Sequence, residues 1–222
     1  IAYPLKYGYA AVGRVIDVGS QAEQEWIGRV VLAFNPHESH FVANTSDVIT
    51  VPDDIAPEAA AFLPNMETAV SLVMDGRPVI GEQVAVLGQG VVGLLTTAIL
   101  ARMPLAALVT LDTFPLRREW AVRLGANASL DPADPQSMSQ SLAMLRGDRD
   151  YEGADLVYEV SGRPEALDTA IALTGYNGRV VVGSWYGNKR ATLDLGGRFH
   201  RLHMQIISSQ VSRLAPEWSG RW

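Results

Sequence analysis

The stretch Val84–Gly93, VAVLGQGVVG, constrains this chain more than any other. A short apolar run stops at Gly88, turns through Gln89 and Gly90, and resumes as an Ala/Leu-rich segment ending near Met103. The spacing predicts a strand over Val84–Leu87 and a helix over Val91–Met103. Each glycine then has its own task. Gly88 permits the tight turn, Gly90 lets a pyrophosphate approach the backbone, and Gly93 lets the helix pack close to the strand. Val91 and Val92 stand at the start of the helix, where free N–H groups and the positive end of the dipole favour an anion. Strand before and helix after are the context that gives a G-x-G-x-x-G pattern its meaning.

An acidic residue is expected about 20 residues on, at the end of the next strand. Asp112, in ALVTLD, stands there. Its carboxylate suits the two ribose hydroxyls and repels a 2′-phosphate, which points to NAD(H) rather than NADP. Arg117 and Arg118 pull the other way, since together they would tolerate a phosphate, and one of them could lie over the adenosine ribose. A turn or helix-cap role is the plain alternative for Asp112. Ligands of such sheets lie beyond the carboxyl ends of the strands. Ser161 after one strand, and Gly183 and Ser184 after another, therefore face the nicotinamide half, or else form ordinary turns.

The rest of the chain divides in two. Its first third reads as β-rich, with strands at Tyr9–Val18, Ile27–Phe34, His40–Ala43 and Val48–Val51, then a helix at Pro57–Leu63. Beyond Asn65 strands and helices alternate. Strands are predicted at Ala107–Leu111, Ala128–Leu130, Asp155–Val160, Arg179–Gly183 and Met204–Ser208. Helices are predicted at Pro115–Leu124, capped by Gly125, at Ser137–Leu145 and at Arg163–Thr174. That alternation implies an α/β fold, a doubly wound parallel Rossmann sheet. The stretch Asp131–Asp150 is polar and expected at the surface. The tail Val211–Trp222 closes no element, and its tryptophans suggest that it packs on something further.

Composition narrows the partners. The net charge of −6 argues against a nucleic-acid footprint and a polybasic membrane anchor. Hydrophobic residues make up 48%, enough for a real core, yet no apolar run reaches the ~18 residues of a membrane span. With no cysteine, disulfides and thiolate–zinc sites cannot form within these residues. A small-molecule partner and a cytoplasmic setting fit this balance.

With those motifs in place, the chain resembles the medium-chain dehydrogenase/reductase family of the zinc alcohol dehydrogenase type. Tyr3–Val15, YPLKYGYAAVGRV, resembles that family's P-x-x-x-G-H-E-x-x-G-x-V segment. Val84–Gly93 with Asp112 resembles its coenzyme fingerprint, and Leu124-Gly125-Ala126 its LGA signature. A Gly-Tyr pair after Tyr-Pro-Leu also has a weaker likeness to the bacteriochlorophyllide dehydrogenase branch. The resemblance implies part of a GroES-like catalytic domain over 1–66, a Rossmann domain over 67–207, and the start of a return to the catalytic domain over 208–222. It implies that the chain is a fragment of a longer protein, and a homodimer through the Rossmann edge strands. It also exposes a departure. Where the family has Gly-His-Glu, this chain has Gly8-Tyr9-Ala10, so the usual zinc ligand and its neighbouring carboxylate are gone and an ordinary zinc site is in doubt.

Hydride exchange with an alcohol needs a group to take or return the hydroxyl proton. The densest ionisable cluster is His37-Glu38-Ser39-His40, although an extended chain would put His37 and His40 on opposite faces unless Pro36 turns it. Tyr9 occupies the family's ligand position, and Glu67 follows the point where the family often has another ligand. These five residues, Tyr9, His37, Glu38, His40 and Glu67, are the catalytic candidates. His37, His40 and Glu67 are also the residues suited to a metal, but their spacing is not diagnostic and leaves zinc open. Arg198, His200 and Arg201 form a basic group that would contact the coenzyme phosphates, a substrate carboxylate or only solvent. Three readings follow: an NAD-dependent alcohol dehydrogenase-like enzyme; a zinc-free NADPH quinone or enoyl reductase; and a nucleotide-binding protein that has lost catalysis.

Overall fold

The computed structural model describes residues 6–19, 24–146, 152–211 and 218. The chain folds as two compact units, 1–64 and 65–222. The expected tail beyond Val211 lies outside the described residues except at Trp218, as do Tyr3, Pro4 and the last residues of the polar stretch.

In the first unit Ala11–Arg14 (β1), Val30–Ala33 (β2) and Val48–Thr50 (β3) form an antiparallel sheet in the order β1-β2-β3. Ala11 faces Ala33 and Arg14 faces Val30. Val31, Leu32, Ala33 and Val51 are buried, so β2 is the centre of this sheet's apolar face. The first two strands are shorter than the apolar runs that predict them. The β1–β2 ladder closes where Gly28, at φ +89°, returns its N–H to the Val15 carbonyl at 2.8 Å. The strand expected at His40–Ala43 does not form. These residues have no ladder partner, only His40 among them bends, and Val42 is 99% exposed. Burying one face is what would have rewarded an extended conformation there. Pro57–Ala60 (α1) is a single turn, not the longer helix expected to Leu63.

A new helix, Leu63–Gly76 (α2), starts there, where the sequence pattern predicts none. Pro64 falls in its first turn, where no intrahelical N–H is required. It leads into the second unit, built on Gln83–Leu87 (β4), Val91–Leu100 (α3), Ala107–Leu111 (β5), Pro115–Arg123 (α4), Ala128–Leu130 (β6), Ser137–Met144 (α5), Ala154–Glu159 (β7), Glu165–Leu173 (α6), Thr174–Val182 (β8) and Gln205–Ser208 (β9). All pairings are parallel, in the order β6-β5-β4-β7-β8-β9. This is the doubly wound dinucleotide-binding order, and it reverses between β4 and β7.

Two apolar layers enclose the sheet. Ala85, Leu87, Val109, Leu111 and Val157 pack with Leu145 below α5 and with Leu167, Ala170 and Leu173 of α6. Val84, Val86, Leu108, Leu156 and Tyr158 pack with Leu72 of α2, Leu100 of α3 and Ala121 of α4. Alternate residues of each strand thus serve opposite faces, as period-2 geometry requires. Gly125 takes φ +112° just past Leu124, which is the C-cap of α4 in place of the expected Gly125. At the other end, α6 runs directly into β8, whose register jumps from the Ala154–Thr174 pair to Leu156–Arg179. Arg179 there makes a two-pronged contact with Glu82, both bonds 2.8 Å, and also donates to the carbonyls of Gly76, Arg77 and Asp155.

Candidate functional site

Reversal of strand order opens a crevice between the carboxyl ends of β4 and β7, and the glycine-rich turn sits at its edge. Gly88 has φ +93°, which an L side chain strains to adopt. A Cβ there would lie 2.6 Å from Ser161 Cα, so the turn after β4 rests directly on the turn after β7. A Cβ on Gly93 would overlap the Gly88 carbonyl oxygen, which explains the glycine one helical turn later. Gly90 differs. It is the N-cap of α3 with φ −68°, a value any residue adopts, and nothing lies within 4 Å of its Cβ position. Val91 and Val92 follow in the first turn of α3, where backbone N–H groups lack intrahelical acceptors.

Asp112 lies just past β5 and is 6% exposed. Its Oδ2 accepts from the backbone N–H of Gln89 at 2.7 Å, and its Oδ1 from Phe114 N at 2.8 Å. Asp112 therefore fills the turn role foreseen for it. A carboxylate has about four acceptor directions, so lone pairs remain beyond these two bonds. Arg117 Nη1 stands 3.6 Å from Oδ2, and its guanidinium lies 4.5 Å above the Phe114 ring. Arg118 is occupied elsewhere: one nitrogen reaches the carbonyls of Asp112 and Thr113 and Asp131 Oδ2, at 2.8, 2.9 and 3.1 Å.

Across the crevice, Ser184 Oγ accepts from Gly162 N at 2.8 Å. Gly183 donates to the Glu159 carbonyl at 3.0 Å, and Leu72 Cδ2 would lie 2.5 Å from a Cβ on it. Ser161 donates from both N and Oγ to Glu159 Oε1, at 2.8 and 2.5 Å. The structure thus gathers Gly88, Gly90, Gly93, Asp112, Arg117, Ser161, Gly183 and Ser184 at one end of one sheet. Arg198, His200 and Arg201 precede the parallel strand β9, so they lie at the opposite, amino end of the sheet. The coenzyme-phosphate role considered for them does not fit that position.

The catalytic candidates are distributed differently. In the first unit His37 donates its backbone N–H to the Tyr7 carbonyl at 2.7 Å and meets the Tyr7 ring edge-on. Its imidazole fills the space that a Cβ on Gly8 would need, and Gly8 has φ +84°. His37 is thereby seated beside Gly8-Tyr9. Glu38 pairs with Lys6. Tyr9 is 60% exposed, and His40 lies in an exposed bend. Glu67 is an exposed residue of α2, in the second unit.

Residues 91–219 match the family model described as zinc-binding dehydrogenase. The chain belongs to the zinc-binding dehydrogenase family. It is an alcohol dehydrogenase-like member of the medium-chain dehydrogenases. L-Threonine 3-dehydrogenase of Caldanaerobacter subterraneus subsp. tengcongensis is 25% identical over 209 residues, covering 81% of this chain and 59% of that protein. The chain therefore spans about three fifths of that curated relative. Among solved structures, an Escherichia coli CFT073 alcohol dehydrogenase complexed with NADH superposes with a TM-score of 0.71 at 17% identity, covering 90% of this chain and 66% of the other. A Sinorhizobium meliloti 1021 structure bound to NADP gives 0.73 at 19% identity, covering 89% and 66%. At these identities the likeness establishes the fold.

For a zinc-binding dehydrogenase the metal question is immediate. Zinc needs about four nitrogen, sulfur or oxygen ligands converging on one point. Among the described residues, no group of three or more His, Cys, Asp or Glu is placed to hold a metal ion. The described residues fit a dinucleotide, because Gly90 leaves an open cradle at a helix N-terminus. No helix among the described residues is long and apolar enough to cross a membrane.

Several side chains at the site carry no motif in the sequence. Gln89 is fully buried, with Oε1 accepting from Thr97 Oγ at 3.0 Å. Glu159 is also fully buried, and Tyr186 donates its hydroxyl to it. A carboxylate inside the apolar run DLVYEV was the available signal for Glu159, since charges are seldom buried unless paired.

Proposed function

We propose that this chain belongs to an oxidoreductase that transfers a hydride between NAD(H) and an alcohol/carbonyl pair on a small molecule, without an ordinary catalytic zinc site. The observation that carries the reading is the contrast among the three glycines. Gly88 and Gly93 are required by the protein's own packing, whereas the space beside Gly90 is empty of protein and lies at a helix N-terminus. A pyrophosphate is the group that accounts for that glycine.

Preference for NAD(H) is supported by Asp112. Two backbone N–H groups fix its carboxylate at the end of β5, where a 2′-phosphate would meet a negative charge. Arg118 is spent on two carbonyls and Asp131, which leaves Arg117 as the nearby cation. The bound coenzyme supplies the hydride chemistry. The chain's own groups cradle the pyrophosphate at Gly90, Val91 and Val92, hold the ribose hydroxyls at Asp112, and border the nicotinamide half with Ser161, Gly183 and Ser184. The hydroxyl proton is handled by a side chain from Tyr9, His37, Glu38, His40 and Glu67. Of these, His37 has the most support, because its imidazole is seated against Gly8, beside the family's ligand position. The similarity to L-threonine 3-dehydrogenase supports a small hydroxylated substrate.

A second reading, a zinc-free NADPH quinone or enoyl reductase, draws on the exposed Arg117 and on the Tyr9-Ala10 replacement. A third, a nucleotide-binding protein without turnover, draws on the replacement alone. Nicotinamide absorbance of the full-length protein, followed with a panel of alcohols, aldehydes and quinones and either coenzyme, separates the three. NAD-dependent alcohol oxidation in protein free of zinc supports the proposal. Turnover confined to NADPH and quinones, stoichiometric zinc, or no turnover at all contradicts it.

A further inference from the structure

Glu159 closes β7 with no exposed surface. Its register neighbours on the flanking strands are Leu87 and Val182, both apolar. A buried carboxylate in such a place is costly unless donors meet it, and well-packed apolar side chains usually serve stability as well or better. Here donors do meet it, and they come from two different loops. Ser161, in the turn after β7, gives Oε1 its N–H at 2.8 Å and its hydroxyl at 2.5 Å. Tyr186, in the segment after β8, gives its hydroxyl to Oε2.

The same two loops are tied once more above the carboxylate, where Gly162 N donates to Ser184 Oγ at 2.8 Å. The Tyr186 ring packs partly buried against the apolar layer that contains Leu111, Val157 and Val180. Burial, then the hydrogen bond to Glu159 and its charge, raise the Tyr186 phenol above its ordinary value of 10.0, so the hydroxyl remains a neutral donor. Between them these bonds fix how far apart the β7 and β8 loops stand at the crevice.

We propose that Glu159 and Tyr186 are positioning residues that lock the two loops at the spacing which receives the nicotinamide half of the dinucleotide. This rests on the NAD(H) reading above. The adenosine half is held across the crevice, at Asp112 and the turn after β4, so the two halves are separable by ligand choice. ADP-ribose carries the adenosine, both phosphates and a second ribose, but no nicotinamide ring.

Calorimetric titration of the wild-type chain, Tyr186→Phe, Glu159→Gln and the double variant with NADH and with ADP-ribose tests this. A glutamine can accept from Ser161 or from Tyr186 but presents an N–H to the other. Each single variant is expected to weaken NADH about tenfold, the size of one lost charge-assisted hydrogen bond, and to leave ADP-ribose within about twofold. The double variant is expected to fall short of the sum of the two single effects, because both variants act on the shared Glu159–Tyr186 contact. Equal weakening of both ligands means a general structural role, and unchanged NADH affinity means no role; either overturns the proposal. If Glu159→Gln does not fold, Tyr186→Phe alone carries the comparison. A wild-type chain that binds neither ligand overturns the NAD(H) reading itself, an outcome distinct from wild-type binding without discrimination among the variants.

Discussion

The backbone N–H of Gln89 donates to Asp112 Oδ2 at 2.7 Å, joining the glycine-rich turn after β4 to the acidic residue after β5. The two parts of the fingerprint, 23 residues apart, are thus in direct contact. The turn orders the carboxylate, and the carboxylate satisfies an N–H of the turn. Site and fold are not separable here, and substitutions are expected to divide according to which of the two they touch.

Alanine at the three glycines makes the sharpest division. Gly90→Ala meets nothing within 4 Å, so folding stability is expected within about 0.5 kcal/mol of wild type while dinucleotide affinity falls at least about tenfold. Gly93→Ala drives a methyl into the Gly88 carbonyl, and Gly88→Ala strains a φ of +93° against Ser161. Both are expected to lose about 2 kcal/mol or more. Urea melts alongside titrations check this, and a Gly90→Ala variant with full affinity would remove the main support for a pyrophosphate at that turn.

At Asp112, size and charge can be tested apart. Asp112→Ala leaves Gln89 N and Phe114 N without their acceptor and is expected to cost about 2 kcal/mol of stability. Asp112→Asn keeps one acceptor oxygen and the volume but not the charge. It is expected to lower NADH affinity and raise that for NADPH, read as the ratio of the two dissociation constants. An unchanged ratio would assign the carboxylate to the turn alone.

Alkaline pH bears on two phenols. Burial raises Tyr158 above the ordinary phenol value of 10.0, as it does Tyr186, where hydrogen bonding to Glu159 adds to the shift. Below that value both states are protonated and their contribution is intact. As pH rises past about 10, the unfolded chain ionises first, so stability falls. Urea midpoints are expected to drop between about pH 9 and about pH 11, less steeply in Tyr186→Phe and Tyr158→Phe. At neutral pH Tyr158→Phe is expected to gain about 1 kcal/mol, since among the described residues its buried hydroxyl has no hydrogen-bond partner. A loss there would show that the hydroxyl is satisfied in solution.

Arg179 anchors the opposite end of the sheet. Arg179→Met strands Glu82 and three carbonyls and is expected to cost about 3 kcal/mol. Arg179→Lys is expected to recover only part of this, because an ammonium cannot reproduce the two-pronged contact. Coenzyme affinity is expected to hold in both, as the site lies at the other end of the strands.

How much of this was legible in the residues follows from where the signals are local. Strand, turn and helix around Gly88–Gly93 are written within ten residues by apolar periodicity and glycine, and Gly125 announces the end of α4. The His40–Ala43 strand failed because β-character is decided by a partner strand, which the local sequence does not name. Helix α2 escaped because Pro64 reads as a breaker unless its place in the first turn is known. The pairing of Glu159 with Tyr186 spans 27 residues and two loops, so nothing short of the fold brings them together. The proton-handling residue stays a choice among candidates for a related reason: Tyr9, His37, Glu38 and His40 belong to one unit and Glu67 to the other.

The central claim is a dinucleotide site that prefers NAD(H). Titration of the purified chain with NADH and with NADPH at equal ionic strength, followed by nicotinamide fluorescence, tests it most directly. NADH is expected to bind at least about tenfold more tightly, about 1.4 kcal/mol, because the Asp112 carboxylate opposes a 2′-phosphate. Tighter binding of NADPH, or no binding of either, would contradict the account.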